Sequence, residues 1–255
     1  MDLRTTFNED ESNYDKARPT YPNELFEDIF SYKNLSAGNN LLEIGIGTGQ
    51  ATTPFLNKGC SVSAVELGDK LASYCRQKFS SYSNFSIINS DFLEADLPQN
   101  YFDLVYSATA FHWIPKEEGY AKIKSLLKKD GAIALFWNHP FVSNLNDETN
   151  IASMKVYSKY RSQDKPKAEF DLSKEKEMVA ELKKYGFCSV ESRIYKRIRK
   201  LTIDEYISLI NTYSDHIALP ADIKNAFENE MRNAIGSVGG KINIYDTLDL
   251  YLARK

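Results

Sequence analysis

Three glycines at alternating positions follow a short apolar run in Leu41-Leu42-Glu43-Ile44-Gly45-Ile46-Gly47-Thr48-Gly49-Gln50. Glycine has no Cβ and takes positive φ without steric cost, so such a stretch lets a ligand press against bare backbone. The N–H groups at the start of a following helix would then face that ligand and favour negative charge. Spacing discriminates among ligands. A dinucleotide fingerprint reads G-x-G-x-x-G; here Gly49 comes one residue early and Gln50 stands in the place of the last glycine. Glu43 lies inside the apolar run, where a carboxylate is costly unless donors meet it. A ligand-free strand-to-helix turn is the plain alternative, but three glycines exceed what a connection needs.

Acids recur where later apolar runs end. Glu66 closes Val62-Ser63-Ala64-Val65-Glu66, and a carboxylate at that place can accept from both ribose hydroxyls of an adenosine, with Leu67 beneath the ribose or base. An exposed acid capping the next helix is the other reading. In Asn89-Ser90-Asp91-Phe92, Asp91 can accept from an adenine amino group and Phe92 can pack on the purine, although an aspartate after a strand is often a turn residue. Ser107-Ala108-Thr109-Ala110-Phe111-His112-Trp113 offers small residues that let the chain approach a ligand, then a polar ring and an apolar wall. It lacks the Asn/Asp-Pro-Pro-aromatic sequence of amide and adenine-amino methylases. The ordinary pKa of His112 suits taking a proton from a hydroxyl or amine; a ring that is merely packed is the alternative. Phe136, Trp137, Tyr206, Tyr213 and His216 either line a substrate cavity or fill a core.

The elements that must position these residues alternate. Apolar runs at 41–46, 62–66, 85–89, 102–107 and 132–137 read as strands, and stretches at 23–32, 70–79 and 120–128 as helices, the last stopping at Gly131 behind Lys128-Lys129-Asp130. Strands alternating with helices imply right-handed crossovers and a parallel sheet covered on both faces. Residues 140–170 resist assignment. A helix at 173–184, a strand at 188–199, helices at 203–212 and 220–235 and a strand at 241–253 follow. The expected architecture is α/β and Rossmann-like: a seven-stranded, mostly parallel sheet with an antiparallel last strand and helices on both faces. A helical insertion closes over the carboxyl ends of the strands, where ligands of open α/β sheets bind.

A length of 255 residues allows one large α/β domain or two small ones. The formal net charge of −3 argues against nucleic acid as a partner, and the basic run at 196–200 reads as a solvated strand edge. Three cysteines, Cys60, Cys75 and Cys188, without C-x-x-C pairing, predict isolated buried thiols with neither a disulfide framework nor a thiolate zinc site. The polar residues 1–14 are no signal peptide and no apolar run reaches membrane-spanning length, so a cytoplasmic protein with no membrane association is expected.

The glycine loop with Glu43 inside the preceding strand resembles the first motif of the class I S-adenosylmethionine-dependent methyltransferases. Tyr14-Asp15-Lys16-Ala17-Arg18-Pro19-Thr20-Tyr21-Pro22 resembles the Tyr-x-x-x-Arg-Pro-x-Tyr-Pro segment of a small-molecule (type 11) subgroup related to the trans-aconitate and juvenile-hormone-acid enzymes. Ala110-Phe111-His112-Trp113, Thr212-Tyr213-Ser214-Asp215 and Tyr251-Leu252-Ala253-Arg254-Lys255 are similar too, so the resemblance covers nearly the whole chain. It implies one domain over 1–255, with residues 1–34 covering the cofactor and insertions 140–172 and 201–238 forming a substrate lid. It implies S-adenosylmethionine as cofactor, S-adenosylhomocysteine as product, and no metal. Cofactor contacts fall to Tyr14, Arg18, Glu43, Gly45, Gly47, Gly49, Glu66, Leu67, Asp91, Phe92 and Ser107, with Arg18 on the methionine carboxylate. His112 is the catalytic candidate, with Trp113 and Tyr213 at a small acceptor (carboxylate, hydroxyl or amine), in a monomer or homodimer. Two rivals stand beside this reading: a non-catalytic binder of the cofactor, and an NAD-dependent oxidoreductase, which the glycine spacing and Glu43 oppose.

Overall fold

The computed structural model describes residues 15–161 and 168–255. In chain order the elements are α1 (Asn23–Lys33), β1 (Asn40–Ile44), α2 (Thr52–Asn57), β2 (Ser61–Glu66), α3 (Asp69–Lys78), β3 (Phe85–Asn89) and β4 (Phe102–Ala108). A 3₁₀ turn (Phe111–Trp113) leads to α4 (Lys116–Leu126), β5 (Leu127–Phe141), α5 (Glu148–Tyr160), α6 (Ser173–Lys184) and β6 (Cys188–Thr202). The chain closes with α7 (Ile203–Ile210), α8 (Ser214–Ile217), α9 (Ala221–Gly236) and β7 (Lys241–Arg254).

The strands form one seven-stranded sheet in the order β3-β2-β1-β4-β5-β7-β6. The first five pair in parallel, and β7 runs antiparallel to both β5 and β6. The central strands β1 and β4 are short and buried over almost their whole length, as a parallel sheet covered on both faces requires. Side chains alternate between two cores: Leu41 and Tyr106 face α1 and α2, whereas Leu42, Ile44 and Val105 face α4 and α6.

Two expectations are corrected here. The helix before β5 ends at Leu126, and Gly131 lies within β5 rather than stopping a helix. Residues 128–131 bulge out of the β4–β5 ladder, since Phe102 pairs with Leu127 but Leu104 with Ala132. The cation of Lys128 meets Asp103 at 2.8 Å instead of a helix end. Cys188 is exposed, while Cys60 and Cys75 are buried thiols as expected.

Strands β5, β6 and β7 span 15, 15 and 14 residues, against five to seven in β1 to β4. Their outer halves run past the parallel core and carry a separate apolar cluster of Tyr206, Ile207, Phe227, Met231, Ile235, Ile242 and Ile244 under α5, α7 and α9. Among the described residues no helix is long and apolar enough to cross a membrane.

Asp147 ties this cap to the sheet. It caps α5 by accepting from Thr149 N at 2.8 Å, and it accepts from Asn243 Nδ2 and Tyr245 Oη of β7, both at 2.7 Å. Burial raises its pKa, but hydrogen bonds from Thr149, Tyr245 and Asn243 outweigh that and hold it well below the carboxylate range. Its stabilisation is therefore fully present above the ordinary carboxylate pKa of 3.8 and is lost progressively as pH falls from there toward the depressed folded value. Asp147→Ala is expected to cost about 2 kcal/mol at neutral pH, the upper end for a lost N-cap, read as a lower urea midpoint. An unchanged midpoint would show that α5 does not depend on this carboxylate.

Candidate functional site

A cavity of about 590 Å³ opens at the carboxyl ends of β1, β2, β3 and β4. That is ample for a nucleoside-sized ligand, since small-molecule sites run from about 300 to 1,000 Å³. Its floor is the glycine loop. Gly45 and Gly47 line it with φ of 70° and 59°, a region that other residues rarely adopt. A Cβ on Gly45 would strike Ala110 Cβ at 2.5 Å, so this glycine allows the β1 and β4 loops to touch. A Cβ on Gly47 would meet no atom within 4 Å, which leaves bare backbone toward the cavity. Gly49 is turned elsewhere: its Cβ would strike the Phe79 ring at 2.5 Å, and it does not line the cavity.

Glu66 ends β2 and is 8% exposed. Its two carboxylate oxygens accept from Gly47 N and Gly68 N, each at 2.9 Å. Burial pushes its pKa up, and these backbone donors oppose the shift. Leu67, Asp91 and Phe92 line the same wall. Asp91 Oδ1 accepts from Leu93 N at 2.9 Å, a turn bond that fixes its carboxylate at the end of β3.

Glu43 also reaches the cavity but is committed within the protein. It is 1% exposed, and Oε2 accepts from Thr52 Oγ1 at 2.7 Å and Tyr106 Oη at 2.8 Å. The buried acid thus clamps β1 to α2 and β4. Ser107 is fully buried, donates to Ile44 O at 2.8 Å and does not line the cavity. Tyr14 lies outside the described residues.

The opposite end of the cavity has different chemistry. His112, Trp113, Asn138, Pro140, Arg199, Tyr213 and Asp215 come together there with Arg18 and Tyr21 from the N-terminal segment. Thr109 turns the chain with φ of 58°, unusual for a β-branched residue, and its hydroxyl lies 2.8 Å from Tyr21 Oη. Arg18 donates to Thr212 O at 3.0 Å and stacks over the Tyr213 ring at 4.9 Å. Trp113 is 40% exposed at the mouth. Phe136, Trp137, Tyr206 and His216 do not line the cavity and pack in the cores.

Sequence reasoning missed Tyr21, Asn138, Pro140, Arg199 and Asp215 as lining residues. The run 196–200 is an edge strand as expected, but only alternate residues are solvated. Lys196, Ile198 and Lys200 are exposed. Arg197 and Arg199 turn inward onto the buried carboxylate of Asp246, and Arg197 also donates to Thr20 O at 2.6 Å. Asn138 Oδ1 is buried without a donor among the described residues. The period of two within the run was a signal for this inward pair. Among the described residues no group of His, Cys, Asp and Glu is arranged to hold a metal ion.

Residues 42–135 match the family model described as a methyltransferase domain. An uncharacterized methyltransferase of Schizosaccharomyces pombe is 25% identical over 243 residues, covering 91% of this chain and 88% of that protein. An uncharacterized methyltransferase of a Geobacillus species is 32% identical over 136 residues, covering 50% and 63%. Among solved structures, a protein of Anaeromyxobacter dehalogenans named for a type II methyltransferase superposes with a TM-score of 0.67 at 17% identity, covering 93% of this chain and 97% of that one. A phosphoethanolamine N-methyltransferase of Haemonchus contortus, complexed with phosphomonomethylethanolamine and S-adenosylhomocysteine, gives a TM-score of 0.57 at 17% identity over 100% of this chain and 60% of that one. At that identity the likeness is one of fold.

Burial raises the pKa of Glu43 to about 7 against the opposing hydrogen bonds of Thr52 and Tyr106. A raised acid pKa means that the folded state holds the proton longer, so stability falls as pH rises from about 4.5 to about 7. Glu43→Gln removes that titration. Relative to the parent it is expected to gain roughly 3 kcal/mol between pH 4 and pH 8, from the energy equivalent of the pKa difference. Urea unfolding across that range checks it; a constant difference between the two proteins would contradict a buried, titrating Glu43.

Proposed function

This chain carries a class I S-adenosylmethionine-dependent methyltransferase domain, and we propose that it transfers a methyl group to a small acceptor held at the aromatic end of its cavity. The observation that carries this reading is one cavity with two chemically distinct ends. A glycine loop and strand-end acids form one end; a histidine, a tryptophan, a tyrosine and arginines form the other. The cradle fits the cofactor. Gly47 leaves open space where a side chain would intrude, and Glu66 is held by two amides with lone pairs still available for hydroxyl donors.

Bound there, S-adenosylmethionine supplies a methyl group activated by a sulfonium. Glu66 would accept from the ribose hydroxyls and Asp91 from the adenine amino group, with Leu67 and Phe92 as the apolar residues available to the base. Arg18 offers a guanidinium fork to the methionine carboxylate. His112, Trp113 and Tyr213 receive the acceptor. The protein need contribute little covalent chemistry. Holding donor and acceptor in line with water excluded can supply about 7–11 kcal/mol at best, and the closing parts are at hand. The N-terminal segment is bonded to the cap through Arg18 and to the β4 loop through Tyr21.

In this reading residues 1–255 act as one domain, with the described part of 1–34 over the cofactor and the described parts of 140–172 and 201–238 as the acceptor lid. The enzyme works in the cytoplasm on free small molecules, as a monomer or homodimer; its net charge of −3 favours this over nucleic acid.

Calorimetric titration should give heat with S-adenosylmethionine and S-adenosylhomocysteine and none with NAD; heat with NAD alone would overturn the reading. Glu66→Ala should weaken cofactor binding roughly ten- to a hundredfold, since hydrogen bonds to a charged group contribute about 1.5–3 kcal/mol. Affinity equal to the parent would remove Glu66 from the cofactor site.

A further inference from the structure

The chain holds three histidines, and their surroundings differ. His216 is buried in the cap core, with Nε2 3.2 Å from Tyr157 Oη. His139 places Nε2 2.9 Å from Asp249 Oδ1. His112 lines the cavity. Its Nδ1 lies 3.2 Å from the indole Nε1 of Trp137, and its ring packs 5.0 Å from that of Trp113.

An indole nitrogen can only donate. Nδ1 of His112 therefore presents its lone pair to Trp137, and the single proton of the neutral ring sits on Nε2. Protonating Nδ1 would set its N–H against the indole N–H. Desolvation lowers the pKa of His112, and the charge of nearby His139 lowers it further, in keeping with a ring held neutral. Trp137 is itself held in place by β5, which pairs it with Asp249, and by the edge-on ring of Tyr251 at 6.1 Å. Nε2 has no protein partner among the described residues, so it is the polar ring atom left for a ligand.

We propose that Trp137 is a positioning residue that locks His112 as the Nε2–H tautomer, so that His112 donates a hydrogen bond to the methyl acceptor and does not take a proton from it. The inference rests on the methyl-transfer reading and selects among its acceptors. A ring whose free nitrogen already bears its proton is no base for a hydroxyl or an ammonium group. It suits an anion with two oxygens, one accepting from Nε2 while the other stays free to react. With such an acceptor the new oxygen–carbon bond forms as the carbon–sulfur bond breaks. The bonding pair stays on sulfur, and no proton changes hands.

Long-range ¹H–¹⁵N correlation spectra of the ¹⁵N-labelled protein saturated with S-adenosylhomocysteine test this directly. Only three histidines contribute, and loss of one spin system in His112→Gln assigns the ring. At neutral pH His112 is expected to show an unprotonated Nδ1 and a protonated Nε2. In Trp137→Phe the same ring should shift to a mixture of both tautomers. A wild-type ring protonated on Nδ1, or an even mixture, would overturn the proposal. A folded Trp137→Phe protein with the parent tautomer would overturn the role of Trp137. Should that variant not fold, the wild-type spectrum still decides the tautomer. Because the readout needs no turnover, its failure is distinct from failure of the methyltransferase reading, which would show as absent heat with S-adenosylmethionine.

Discussion

The site depends first on a buried carboxylate at the tips of two adjacent strands. Glu66 sits at the end of β2, and its oxygens take the N–H of Gly47 from the β1 loop and of Gly68 from the β2 turn. A charged acceptor out of water is tolerable only when donors meet it, and here those donors are the backbone of the ligand-binding loop. The same bonds that stabilise the acid therefore shape the loop. Beneath it Glu43 does comparable work, joining α2 and β4 to β1 through Thr52 and Tyr106. The two acids occupy neighbouring strands and both reach the cavity wall, one held by backbone amides and one committed to the hydroxyls of Thr52 and Tyr106.

From that base the architecture divides its labour. The short parallel strands β1 to β4 end together and place glycines, acids and the 109–113 loop around one opening. The long strands β5, β6 and β7 extend past this level and lift a helical cap over it. The cap and the N-terminal segment are tied across the opening by guanidinium groups, Arg18 to Thr212 O and Arg197 to Thr20 O. Both bonds are made to carbonyls, which fix a chain's path without consuming a second charge. Asp246, buried under Arg197 and Arg199, anchors this crossing in the edge of the sheet.

Much of this was legible in the sequence, for identifiable physical reasons. Strands buried on both faces read as nearly unbroken apolar runs, and β4 is buried from Phe102 to Ser107, the run expected for it. Residues that serve a ligand stand where those runs end, which made Glu66, Asp91 and His112 visible. Other features depend on partners far along the chain. Helix α5 escaped notice because its buried residues are Asn150, Ser153 and Val156, so it shows no apolar stripe. Lys128-Lys129-Asp130-Gly131 mimics a helix terminus, while Asp103 draws Lys128 into a strand bulge. Arg199 became a cavity residue only because Asp246 receives it across the β6–β7 pair. Gly49 and Ser107 show the converse: small residues within a motif can lie off the cavity wall, one against the Phe79 ring and one hydrogen-bonded to Ile44 O.

The match of residues 42–135 to a methyltransferase-domain model and the two-ended cavity together support one proposal about position: cofactor along Glu66 and Asp91, acceptor beside His112. A crystal structure with S-adenosylhomocysteine bound tests it most directly. The account predicts ribose hydroxyls within hydrogen-bond distance of Glu66, adenine between Leu67 and Phe92 with its amino group on Asp91, and the thioether sulfur directed at the 109–113 loop. Product bound elsewhere, or in this cavity with Glu66 beyond hydrogen-bond reach of the ribose, would contradict it.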